Sequence, residues 1–168
     1  MIDDEVSKKR RAKWLTSENF MSRYIEIRTV VEGLFNDSKH SEQLKWFTIH
    51  GREHSLALEN NLYCLIPTPY ESKSDNSEFC SNNYEFKGRE VLTESERFFL
   101  IISAWLHDLG MIKFSDKDKE LSDEQIRDNH HSRSEKYIVN NFSKLQISEG
   151  EASLLGIMAY YHRRRCPI

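Results

Sequence analysis

The stretch from Phe98 to Leu109 constrains this chain more than any other, because nearly every residue in it is apolar. Thr93 is followed three residues later by Glu96, a capping-box spacing in which each side chain satisfies an N–H at a helix start. Gly110 is suited to stop the same helix at its other end. A helix apolar on all sides must be covered by its neighbours, so this one is read as the central buried helix of the fold.

The rest of the chain supplies further helices. Phe20, Tyr24, Ile27, Val31 and Leu34 follow helical spacing behind the starter residues Thr16, Ser17 and Glu18. From Thr48 to about Ile66, His50, His54, Leu58 and Leu62 recur every fourth residue and share one face, and Pro67 closes the segment. Ser122 with Gln125 caps a helix that carries His131 and Ile138 and runs through about Phe142. Ser148 with Glu151 opens a final helix through Leu154, Leu155, Met158 and His162. Residues 67–92 show no sustained period and read as a long loop or insertion. No segment alternates convincingly at strand length, and no repeat is visible. The expected fold is all-α, a compact helical bundle of about five main helices.

A length of 168 residues suits one core rather than two. With 38% hydrophobic and 11% aromatic residues there is enough apolar material to fold. The formal charge of -3 gives no global attraction to polyanions, so contact with nucleic acid would need a local patch. Lys8 to Lys13 is such a basic run, but it reads first as a solvated terminus. Cys64, Cys80 and Cys166 are widely spaced with no CxxC pair, which argues against a disulfide framework and fits a reducing, cytoplasmic setting. No apolar run reaches the roughly 18 residues of a membrane span.

The chemistry concentrates in the histidines, of which there are seven. His107 and Asp108 end the most apolar helix, where burying a carboxylate beside an imidazole is costly unless a cation offsets it. A divalent metal ion would do so. Adjacent helical residues diverge by roughly 100°, so both can reach one site only at the helix edge near its end.

Four segments carry a resemblance: His50-Gly51-Arg52-Glu53-His54-Ser55, Trp105-Leu106-His107-Asp108-Leu109-Gly110, His130-His131-Ser132-Arg133-Ser134, and Tyr160-Tyr161-His162. In this order they resemble the HD-domain superfamily of metal-dependent phosphohydrolases, and their spelling is most similar to HD domains fused to Hsp90-type ATPase modules. The resemblance implies an HD-type domain over 48–168, preceded by an N-terminal segment, 1–47, with its amphipathic helix. It also implies a metal set of His54, His107, Asp108, His131 and His162, with His107 and Asp108 the catalytic doublet and the aspartate bridging two ions in two-metal members. His130 is the alternative to its neighbour His131, since one of two adjacent helical residues normally faces a site.

The ligands do not select one ion, and the resemblance implies manganese, iron, magnesium, nickel or zinc, one or two per site. The implied function is metal-dependent hydrolysis of a phosphate ester or phosphodiester, nucleotide-like. A regulatory module that binds metal or nucleotide without turnover is the alternative, and a purely helical interaction domain a third. Arg163, in the run Arg163-Arg164-Arg165, and His50, one turn before His54, are candidates to hold substrate phosphate. The family closes its site with a later aspartate, whereas no aspartate follows Asp128 here. The domain is therefore expected to lack its final helices and to expose apolar surface for a homodimer or an associated ATPase module.

Overall fold

In the structure, a computed structural model, residues 5–36, 51–66 and 92–162 are described. The loop expected over 67–92 lies almost wholly outside them. Among the described residues there are six helices and no strand: α1 (Glu5–Trp14), α2 (Glu18–Asn36), α3 (Arg52–Leu65), α4 (Glu94–Leu106), α5 (Asp123–Asn140) and α6 (Glu149–Tyr161). Two short 3-10 turns, Leu109–Met111 and Asp116–Glu120, join α4 to α5. The fold is all-α, as the sequence implies.

The capping boxes show why these helices start where they do. At Thr93/Glu96, Ser122/Gln125 and Ser148/Glu151 the hydroxyl accepts the N–H three residues on, and the longer side chain accepts the N–H of the cap. Each cap is worth on the order of 1 kcal/mol, and all three are local patterns that need no tertiary partner. At the start of α3, Gly51 has φ 138, a conformation that L side chains rarely adopt.

The core is built around α4. Phe98, Ile101, Ile102, Trp105 and Leu106 are fully buried against Tyr24, Ile27 and Val31 of α2, Leu56 of α3, and Leu155 and Ala159 of α6. The helix ends at Leu106, short of the expected Leu109, and Leu109 belongs to the 3-10 turn that follows. α5 likewise ends at Asn140, so that Phe142 lies in the turn over 141–146. On α6 the outer residues Leu154, Ile157 and Tyr161 are exposed. No helix among the described residues is long and apolar enough to cross a membrane.

The basic run near the N-terminus differs from expectation. It lies in α1, which packs on α3 and α4 and buries Ser7, Arg11 and Trp14. Arg11 inserts its guanidinium beside Glu59 of α3, which is fully buried, donating from Nε at 2.9 Å and Nη2 at 2.6 Å to Oε1. The same carboxylate accepts from Tyr63 Oη at 2.7 Å, Tyr24 Oη at 2.8 Å and Trp105 Nε1 at 2.6 Å. Four helices thus meet on one side chain. Burial, and then the Glu59 charge, push both tyrosine hydroxyls far up, so they stay protonated and available as donors.

Candidate metal centre

The end of α4 places the doublet. His107 still has helical dihedrals, and Asp108 turns into the bridge region at φ -101 and ψ 7, which swings its carboxylate back beside the imidazole. A helix that stops just before the pair solves the 100° divergence between neighbours.

Gly110 is buried in the 3-10 turn and has no positive φ, so it is not the left-handed helix stop expected of it. What it provides is close approach. A Cβ there would lie 2.0 Å from the His130 carbonyl oxygen and 2.5 Å from the Ser134 nitrogen. With no side chain in the way, Gly110 N–H donates to Ser134 Oγ at 2.8 Å, and Ser134 Oγ donates to the His107 carbonyl at 2.5 Å. Arg133 closes the junction, donating to the carbonyls of Gly110 at 2.7 Å and Ile112 at 2.8 Å and to Asp118 Oδ1 at 2.7 Å. These bonds fix α5 against the doublet.

The Asp118 end of this clamp carries a pH dependence. Partial burial pushes its carboxyl up, but hydrogen bonds from Arg133 and from Ser115 outweigh that and hold it below its ordinary value of 3.8. A folded-state value below the unfolded one stabilises the fold above that unfolded value and loses the contribution as pH falls through the depressed one. Asp118→Asn is therefore expected to be less stable than wild type at pH 7, with the gap closing below about pH 4. Urea titrations at both pH values check this, and a gap that stays constant would show that Asp118 contributes no charge.

Asp108, with its side chain only 3% exposed, receives imidazoles on both oxygens. His54 Nε2 lies 3.5 Å and His107 Nε2 3.1 Å from Oδ2; His130 Nε2 lies 3.5 Å and His162 Nε2 3.8 Å from Oδ1. His130 Nε2 and His162 Nε2 are 2.8 Å apart. Two potential ligand groups, His54–His107–Asp108 and Asp108–His130–His162, therefore share the aspartate.

The tautomers are set from behind. His107 Nδ1 faces the Ala104 carbonyl at 3.1 Å, His130 Nδ1 the Arg127 carbonyl at 2.5 Å, and His162 Nδ1 the Ala159 carbonyl. A carbonyl can only accept, so each Nδ1 carries a hydrogen, and a ring with no second hydrogen turns an Nε2 lone pair toward Asp108. Burial pushes the His162 imidazole from 6.5 down to about 4, so near pH 7 that ring is neutral. Lone pairs and a carboxylate converging without hydrogens between them repel unless a cation sits among them, and imidazole with carboxylate is a donor set that suits a divalent transition ion. The residues present fit a metal.

The structure places His54, His107, Asp108 and His162 of the expected set together. It puts His130 rather than His131 beside Asp108; the His131 ring lies against Tyr160, with centroids 5.3 Å apart. His50 and Arg163 lie outside the described residues. Sequence reasoning gave no role to Ser134 or Arg133, which hold α5 in place.

An all-helical bundle that gathers a His–Asp doublet and histidines from three other helices is an HD-type domain. The chain belongs to the HD-CE family, whose sequence profile matches residues 42–165. No curated protein and no solved structure matches it.

Proposed function

We propose that this chain is a divalent-metal phosphohydrolase acting on a phosphate ester or phosphodiester. The observation that carries the reading is Asp108, buried and faced on both oxygens by imidazole Nε2 atoms. His54, His107, Asp108, His130 and His162 would hold the metal. A bound divalent ion would make a nucleophile of water near neutral pH and offset charge on the phosphoryl group.

The protein's own part is orientation and access. The Nδ1 bonds to backbone carbonyls hold three rings in one tautomer, and the Ser134 and Arg133 clamp sets the distance between the two ligand groups. His54, His107 and His162 line a cavity of about 510 Å³, so substrate phosphate would arrive from that side. Asp108 and His130 lie behind them, nearly buried.

The full chain with added manganese is expected to release inorganic phosphate from a panel of phosphate esters, and His107→Ala to abolish it. Asp108→Asn removes the shared carboxylate charge and is expected to weaken manganese uptake at least tenfold by calorimetry while the helices remain folded by circular dichroism. Manganese uptake without phosphate release would favour a metal-binding regulatory module instead. A folded chain that takes up no metal would overturn both.

A further inference from the structure

The stripe His54–Leu58–Leu62 has the spacing of a core-facing helix face, yet it is not the core face of α3. That role falls to Ser55, Leu56, Glu59 and Tyr63, all buried. The stripe instead forms one wall of the cavity at the metal centre, continued by Leu65, which is 66% exposed. Leu100 and Ala104 of α4 and Met158 of α6 also line it. Among the described residues lining this cavity, no side chain other than the three imidazoles is ionisable. Besides the imidazoles, the polar side chains among the described lining residues are Asn61 and Ser103, and Ser103 already gives its hydroxyl to the Leu100 carbonyl at 2.8 Å.

Leucines left partly open to water beside a charged centre cost hydration free energy that a ligand could recover by covering them. The volume is in the range of pockets that take drug-sized molecules. A second or third phosphate placed here would find no cation among the described lining residues to offset it. We infer that this cavity binds the uncharged, apolar organic group of a phosphate monoester, an aryl or alkyl phosphate whose phosphate sits at the imidazoles, in preference to a polyphosphate. The inference rests on the proposed function for the phosphate end only and narrows its substrate class.

Phosphonates, which bind but cannot be hydrolysed, separate this claim from catalysis. The manganese-loaded full chain is titrated by calorimetry with methyl-, butyl-, hexyl- and 1-naphthylphosphonate and with a non-hydrolysable nucleoside triphosphate analogue. Affinity is expected to rise by about two- to fourfold per added methylene until the cavity is filled. The naphthyl compound is expected to bind at least tenfold tighter than the methyl compound, and the triphosphate no tighter than the methyl compound.

Leu65→Asp, at an exposed position that the fold does not need, is expected to erase most of the chain-length dependence. Leu58→Asp is expected to do the same if its thermal melt shows it folded. A flat alkyl series, or a triphosphate that binds tightest, overturns the inference while manganese uptake leaves the metal reading standing. Failure to take up manganese at all overturns both together.

Discussion

Alanine at position 110 is expected to lower the unfolding midpoint by roughly 6–12 °C and to weaken manganese uptake more than any substitution outside the ligands themselves. The added methyl would meet the His130 carbonyl oxygen at 2.0 Å and the Ser134 nitrogen at 2.5 Å. Both are backbone atoms, so no side chain can rotate away, and α5 itself must move. Overpacking costs typically 1–3 kcal/mol. Here the displacement also stretches the bonds that Gly110 N–H and Ser134 Oγ make across the junction, which puts the cost near about 3 kcal/mol. At about 2–4 °C per kcal/mol for a domain of this size, that gives the stated range.

The same movement carries His130 away from Asp108, so stability and metal affinity should fall together. Gly33 supplies the control. It lies in the last turn of α2 with nothing among the described residues within 4 Å of a Cβ, and Gly33→Ala should stabilise the fold by up to about 1 kcal/mol. A Gly110→Ala variant that melts and binds manganese like wild type would remove close approach as the reason for this glycine.

How much of this was legible in the sequence follows from how local each signal is. The capping boxes are four-residue patterns, and all appear as read. The doublet was legible because a carboxylate at the end of an apolar helix is conspicuous by its cost. The choice between His130 and His131 needed the rotational phase of α5, which the junction with Gly110 sets. A signal for it did exist. Ile126, His130, Ser134 and Ile138 recur every fourth residue and are all buried, so His130 shares the core-facing stripe of α5 and His131 does not.

α1 carried no such signal. Its buried face is a serine, an arginine and a tryptophan, and apolar periodicity does not register an arginine that is buried only because a carboxylate 48 residues away meets it. For α3 the stripe was visible but its destination was not, since spacing alone does not separate a core face from a cavity wall.

That carboxylate is the second place where a single substitution should have a large effect. Glu59→Ala is expected to cost on the order of 3–5 kcal/mol, a large share of the roughly 5–15 kcal/mol by which a domain is stable. The loss is not one salt bridge. Arg11 and Trp105 can only donate, and the two tyrosine hydroxyls are held as donors by burial, so Glu59→Ala takes away at once an acceptor that all four share in the core.

Glu59→Gln keeps the volume but turns an amide NH₂ toward donors and removes the negative charge beside the Arg11 guanidinium, so it should lose nearly as much. The paired change Arg11→Met with Glu59→Leu removes charge and partner together and should recover part of the loss, as apolar replacements of buried ion pairs often do. Urea unfolding of the three variants tests this, and a Glu59→Gln protein within 1 kcal/mol of wild type would contradict it.

The consequence reaches the metal centre by a short path. Glu59 is on the helix that carries His54, and it binds the indole of Trp105, two residues before His107. Loosening that contact lets α3 shift along α4 and parts His54 from the doublet. Manganese affinity measured well below the melting temperature should therefore fall in Glu59→Gln even though no ligand has been altered.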